Sequence, residues 1–271
     1  MNFTPVLAAG GNYSDDGEPT IDALVQWINA HVADSQEWHL PFGLHIPLPS
    51  WISLHAVMLL LCALFLFIIF GVLYKKKQAV PTGVTNFLEV FVLFVRNDIS
   101  IANLGEEDGK KYAPLFLTFF FFILGLNIMG LIPLFATATG NIGVTLGLTT
   151  FTFLSMTLVA MIKNGVGGFF GAFIPHGVPT PVLFLLTPIE MAGVVIKCFA
   201  LTIRLFANMM AGHIIVFALL GLLYLFKAYA APALPMAVAI YFLEILVAFL
   251  QAYIFTFLSS MFIGQIFHPE H

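Results

Sequence analysis

Residues 182 to 226 read VLFLLTPIEMAGVVIKCFALTIRLFANMMAGHIIVFALLGLLYLF, an apolar run of about 45 residues interrupted by Glu190, Lys197, Arg204, Asn208 and His213. About 20 apolar residues suffice to cross the hydrocarbon of a bilayer, so this run is far longer than an upright span needs. A second run, Leu234 to Phe267, is interrupted by Glu244 and Gln251. No Gly/Pro turn sits at the centre of either run, which favours two long, strongly tilted helices with local breaks over helical hairpins.

The rest of the chain agrees with a lipid solvent. Of 271 residues, 60% are hydrophobic and 9% are charged, where a soluble domain is nearer half apolar and a quarter charged; mean hydropathy is +1.00. Ten Lys+Arg against 14 Asp+Glu give −4, which excludes the basic balance of a nucleic-acid binder. Low charge together with 30 Phe, 7 Tyr and 3 Trp excludes disorder. Cys62 and Cys198 lie inside apolar runs, too few and too far apart for a disulfide scaffold or a zinc cluster.

Charge placement sets the orientation. No Lys or Arg occurs in the first 74 residues, which carry Asp15, Asp16, Glu18, Asp22, Asp34 and Glu37, whereas six of the ten basic residues fall between 75 and 111. By the positive-inside bias, residues 1–50 are an acidic external segment, 51–74 a first transmembrane helix, and 75–111 a cytoplasmic (or matrix or stromal) segment. Met1 to Gly11 lacks the basic start of a signal peptide. The triplets Asn2-Phe3-Thr4 and Asn12-Tyr13-Ser14 read as chance sequons. His31, His39, His45 and His55, spaced by 8, 6 and 10, match no ligand pattern, so neither a metal nor another cofactor is expected.

Thr82 to Ser100 mixes an apolar face with Asn86, Glu89, Arg96, Asn97 and Asp98, which suits an amphipathic helix lying in the interface. A polar loop is expected over Asn103 to Lys111. Two more spans, Tyr112 to Phe135 and Val144 to Ile162, are joined by the uncharged turn Ala136 to Gly143. Residues 164 to 181 are rich in Gly and Pro and read as a loop or re-entrant connection; they nearly match a GxGxxG fingerprint, but Phe170 replaces the last glycine and no strand precedes it. The expected fold is an all-α integral membrane protein with about five membrane helices and one interfacial helix, in which residues 112–271 form the functional helical domain.

Ionisable groups inside a membrane cost on the order of 2.5 to 3.5 kcal/mol each on insertion scales and usually face a bundle interior or a watery cavity. At 100° per residue, Lys197 lies about 20°, Glu190 about 40° and Asn208 about 40° from the direction of Arg204, one polar stripe on an apolar helix, with His213 on the opposite side. Glu190 and Lys197, each taken alone, read first as ion-pair partners or snorkelling side chains. Arg204 is different: its guanidinium stays charged and needs an anion, either Glu244 in this chain or a group on another subunit. His213 and Glu244 form a plausible proton relay. The sequence has no GxxxxGK[ST], HExxH or CxxC motif, so no bond-making chemistry is expected of this chain.

The segment Leu201-Thr-Ile-Arg204-Leu-Phe-Ala-Asn208-Met-Met-Ala-Gly212-His213, followed by Phe249-Leu-Gln251-Ala-Tyr-Ile-Phe255, resembles subunit a of the membrane (Fo) sector of F-type ATP synthases. The resemblance extends to Val80-Pro81, Tyr112-Ala-Pro114-Leu, Asn127-Ile-Met-Gly-Leu-Ile-Pro133 and Glu190 with Lys197, so it runs from about residue 75 to the C-terminus. It implies a non-catalytic stator with two proton half-channels, working against a ring of c subunits and held by the b subunits of a peripheral stalk. In that frame Arg204 faces the ring carboxylates, Gln251 and Asn208 stand near it, and His213 and Glu244 form the outer relay. Glu190 belongs to the opposite half-channel, with Lys197 beside it, and Asn127 lines a channel. Gly130 replaces an Asp that some members carry, so no proton role is given to it, and Gly143 likewise lacks a polar side chain that some relatives offer. Protons are expected ahead of sodium as the translocated ion, and the acidic external N-terminus favours a bacterial plasma membrane over an organellar one. A stand-alone proton-coupled transporter or channel is the alternative; the internal repeat common in transporters is not seen.

Overall fold

The computed structural model describes residues 37–40, 44–47, 49, 53–73, 83–132, 135, 137–174, 180–226 and 232–267. The acids Asp15, Asp16, Glu18, Asp22 and Asp34, both sequons, Lys75 to Lys77, the Val80-Pro81 pair and the loop expectation for 175–179 lie outside those residues.

Six helices follow a short hairpin. Helix α1 is Leu54–Ile68 and runs on as a π-helical turn, Ile69–Leu73. Helix α2, Val84–Leu93, continues through a π-helical stretch, Phe94–Ile101, and one further turn, Ala102–Leu104. Then come α3 (Glu106–Leu131), α4 (Ile142–Gly171), α5 (Thr180–Phe226) and α6 (Ala233–Phe267). All but α2 are long and apolar enough to cross a membrane, so the chain is a helical integral membrane protein with five candidate spans. Helices α5 and α6 have 47 and 35 residues, about 70 and 52 Å at 1.5 Å per residue.

Three local features differ from the sequence reading. The N-terminal segment contains a two-stranded antiparallel hairpin, β1 (Glu37–Leu40) and β2 (Leu44–Pro47), with His39 opposite His45; four-residue strands are too short to show an alternation. The stretch read as a loop to Lys111 is helical from Glu106. Glu106, Glu107 and Asp108 fill the first turn of α3, where the positive end of the helix dipole favours anions, and Lys110 pairs with Glu106 one turn on. Helix α4 likewise runs past Ile162 to Gly171, but as two helical segments joined at a kink: Gly165, at φ 72° and ψ 169°, leaves helical values, so the break expected in this Gly-rich stretch is one residue rather than a loop. The backbone returns to helix beyond it because in or near hydrocarbon no water takes up its polar groups.

The chain forms two compact units. The first comprises Met1–Leu61, Leu126–Val144 and Leu205–Ala248; the second comprises Cys62–Gly125, Thr145–Arg204 and Phe249–His271. Among the described residues every Lys and Arg belongs to the second unit: Arg96, Lys110, Lys111, Lys163, Lys197 and Arg204.

In the second unit, aromatic rings join α2, α3 and α6. Phe120 meets Phe249 edge-on at 5.7 Å, Phe91 lies 5.8 Å from Phe249, and Phe94 lies 5.8 Å from Tyr253. Lipid tails are as apolar as these side chains, so such contacts act through close packing rather than escape from water. On α4, Thr145, Thr149, Thr152, Met156 and Ala160 share a buried face. Thr149 and Thr152 donate to the carbonyls of Thr145 and Leu148 at 2.7 and 2.9 Å, so these hydroxyls are satisfied within the helix.

The last turns of α6 are tied at several points. Asn103 Nδ2 donates to Ser260 Oγ at 2.7 Å and to Ile99 O at 2.9 Å. Asn164 Nδ2 donates to Ile266 O at 2.6 Å. Lys163 pairs with Asp108 and sits 3.9 Å above the Phe267 ring. Gly264 makes the approach possible, since a β-carbon there would lie 2.5 Å from Asn103 O, a backbone atom that cannot step aside. Gly264→Ala is therefore expected to lower stability by about 1–3 kcal/mol, whereas Gly147→Ala, with nothing within 4 Å, loses none. Thermal unfolding midpoints of the detergent-solubilised variants check the contrast.

Candidate functional site

Each unit carries its own set of polar groups. In the second unit, Glu190, Lys197 and Arg204 of α5 are all exposed, as the stripe expected from helical spacing requires. Among the described residues, the ion pairs are Lys110–Glu106 and Lys163–Asp108, and no carboxylate pairs with Arg204. One turn to either side on the same helix, Ala200 and Ala207 are exposed as well. Thus a charge that cannot be neutralised by losing a proton is presented on the exposed stripe of an otherwise apolar helix.

Gln251 of α6 is buried, and its Oε1 has no hydrogen-bond partner among the described residues. Lys197 lines a cavity of about 40 Å³ together with Thr149, Thr152, Cys198 and Ser259. Most of its lining is apolar, including Phe153, Met156, Val194, Leu201, Phe255 and Phe262.

In the first unit the polar set is built on the end of α3. A helix leaves its last four carbonyls without intrahelical partners, and two of them are taken up by side chains from other helices. Gly130 O lies 2.8 Å from His213 Nε2 on α5, and Leu131 O accepts from Tyr241 Oη on α6 at 2.7 Å. His213 Nε2 is also 2.8 Å from Thr137 Oγ1, and its Nδ1 is 3.0 Å from Met209 O, one turn back on α5. Glu244 of α6 interacts electrostatically with His213, so the expected imidazole and carboxylate are brought together. The Glu244 side chain reaches α5 at Gly212, where a β-carbon would overlap Oε1. Asn127 of α3 is buried and its Nδ2 is 3.5 Å from Ala248 O. Asn208 is exposed on α5.

Asn127 Oδ1, Glu244 Oε1 and Gln251 Oε1 are buried atoms without hydrogen-bond partners among the described residues, as are the Thr139 and Thr157 hydroxyls. Three of these five belong to residues singled out from sequence. A buried polar atom left unmatched calls for water, an ion or a mobile proton. Sequence reasoning missed Gly130, Thr137, Tyr241 and Gly212. Gly130 acts through its main-chain carbonyl, which residue typing does not register. Gly212 lies within the motif that carried the resemblance, and its small size was the signal there to be read.

The family model described as "ATP synthase A chain" matches residues 55–264. The chain is similar to the "ATP synthase subunit a" of Chloroherpeton thalassium, 44% identical over 304 residues that cover 100% of this chain and 90% of that protein. It is 43% identical to the protein of the same description from Myxococcus xanthus, covering 87% of this chain and 85% of that one. The match to the Anaeromyxobacter sp. (strain Fw109-5) "ATP synthase subunit a", 46% identical, covers 78% of this chain and 53% of that protein. The chain thus spans about half the length of the Anaeromyxobacter relatives it matches.

The Gly212 notch makes a specific expectation. Gly212→Ala forces the Glu244 carboxylate aside and is expected to lower stability by about 1–3 kcal/mol. Shortening its neighbour with Glu244→Ala in the same chain should recover most of that loss, a non-additivity that a double-mutant cycle of thermal unfolding in detergent reads directly.

Proposed function

The chain belongs to the ATP synthase A chain family, and from that premise we propose that it is the stator subunit of the Fo sector, which feeds protons to and from a rotating ring of c subunits. The observation that carries this reading is Arg204: an exposed guanidinium on the polar stripe of a long apolar helix, with no ion-pair partner among the described residues. A ring carboxylate is the partner of matching chemistry. When that carboxylate is ionised it is drawn to Arg204; once protonated it is released into the lipid-facing part of its circuit. Because the arginine never deprotonates, it also blocks a proton from passing straight between the two access paths.

In this reading the outer half-channel draws on the first unit, with His213, Glu244 and Asn127 as its polar lining and Asn208 toward Arg204. The inner half-channel draws on the second, with Glu190, Lys197 and Gln251. Buried unmatched oxygens on Asn127, Glu244 and Gln251 supply hydrogen-bonding stations along such paths. The absence of Lys and Arg from the first 74 residues and the six between 75 and 111 support placing the 75–111 segment toward the cytoplasm and the N-terminus outside, in a bacterial plasma membrane. Helices α5 and α6 then cross at a steep tilt, because their lengths exceed the ~30 Å of hydrocarbon. The b subunits of the peripheral stalk would hold the subunit against the ring. Each proton crossing delivers roughly 2.3 kcal/mol per 100 mV, and the ordered protonation of ring carboxylates turns that work into rotation and ATP synthesis.

Inverted membrane vesicles test the reading. Arg204→Ala is expected to assemble to wild-type levels, as judged by blotting, and to lose ATP-driven proton pumping read by fluorescence quenching. Pumping that survives the substitution in an assembled complex overturns it.

A further inference from the structure

The hydroxyl of Thr137 occupies a place that no side-chain motif marks. It lies 2.8 Å from His213 Nε2 and 3.4 Å from Gly130 O, while Gly130 O is itself 2.8 Å from the same nitrogen. At the other ring nitrogen stands a second carbonyl, Met209 O, 3.0 Å from Nδ1. Carbonyls only accept, so a ring with both nitrogens protonated satisfies both of them. A neutral ring that keeps its proton on Nδ1 turns a lone pair toward Gly130 O instead, and there a donor is needed. Thr137 provides one, because a hydroxyl both donates and accepts and rotates to suit.

We infer that Thr137 is a positioning residue for proton release from His213: its hydroxyl turns from Gly130 O to Nε2 as that nitrogen gives up its proton. The inference rests on the proposed proton-handling function. In the charged state Nε2–H donates to Gly130 O, and the threonine hydroxyl points toward the same carbonyl. On release the Nε2–H bond breaks, the proton passes to outer water or to the Glu244 carboxylate, and the ring falls from a charge of +1 to neutral. The hydroxyl then donates to the exposed lone pair. The titratable groups facing His213 are Glu244 on α6, whose charge it feels, and Tyr241, which interacts with Glu244 from the same helix. From α3 and from α5 itself the ring meets the main-chain carbonyls of Gly130 and Met209.

The sign of the effect follows. Removing the hydroxyl withdraws a donor from the neutral ring and leaves the charged ring with its carbonyls, so release slows. ATP-driven pumping sends protons to the outer side, which is the lumen of an inverted vesicle, and an alkaline lumen draws the proton off. Thr137→Val is expected to assemble normally and to pump on the order of two- to tenfold more slowly, the worth of one hydrogen bond to a neutral group. The deficit should be largest with an acidic lumen and shrink as luminal pH is raised. Thr137→Ser, which keeps the hydroxyl, should restore the wild-type rate, and Thr137→Ala takes the place of the valine variant if that variant does not assemble. Wild-type pumping by the hydroxyl-free variant at every luminal pH overturns the inference. So does a deficit that ignores luminal pH and is not rescued by serine, since that would mark a packing role. Arg204→Ala, measured alongside, separates the two levels: if it pumps, the proton-handling function fails and this inference with it, whereas its loss beside a wild-type Thr137→Val sinks only the threonine.

Discussion

A guanidinium cannot shed its charge to escape a poor solvent. On α5, Arg204 is exposed between Ala200 and Ala207, with no carboxylate paired to it among the described residues. In water such an arrangement is cheap, but on a helix made for hydrocarbon an unpaired ion is worth several kcal/mol of desolvation. That constraint gives the neighbouring features their meaning. The rest of the exposed inner stripe, Glu190 and Lys197, is polar on the face that carries Arg204, and it suits a watery approach to that charge. The apolar residues around it suit a partner helix that brings its own anion.

The other recurring feature is oxygen atoms without hydrogen-bond partners. Folded proteins match nearly all buried polar groups, so the unpartnered oxygens of Asn127, Glu244 and Gln251 are expensive places that a purely structural protein would have filled with aliphatic residues. The His213 surroundings show the complementary arrangement: the imidazole is placed against Gly130 O, a spare carbonyl at the end of α3, and against Met209 O within α5, with a carboxylate in electrostatic reach.

Much of this was legible from residue order because membrane proteins obey few, strong rules. Run length located all five spans, since about 20 apolar residues measure out a bilayer, and 3.6-residue periodicity put Glu190, Lys197 and Arg204 on one exposed face. His213 and Glu244 were readable as a pair from their chemistry. What escaped lies where the main chain acts. The Gly130 and Leu131 carbonyls are functional groups common to every residue, and only tertiary structure shows which side chains they receive. The first turn of α3 escaped because Glu106, Glu107 and Asp108 look like loop residues until their position at a helix N-terminus is known. Helix α4 kinks at Gly165, inside the stretch read as a connection, and helix resumes beyond it, because glycine weakens a helix by only about 1 kcal/mol, less than exposing unpaired backbone in lipid.

The central claim is that the Arg204 face of α5 meets a carboxylate borne by another subunit. Cysteine cross-linking in native membranes reads this contact itself: Ala207→Cys, an exposed position one turn along α5 from Ile203, is combined with a cysteine placed next to the ion-binding carboxylate of the c subunit. The account predicts a disulfide-linked product of this chain and c under mild oxidation, one that stops ATP-driven rotation and is reversed by reductant. A cysteine at 207 that stays free beside an intact ring, and reacts only with lipid-soluble thiol reagents, would contradict it.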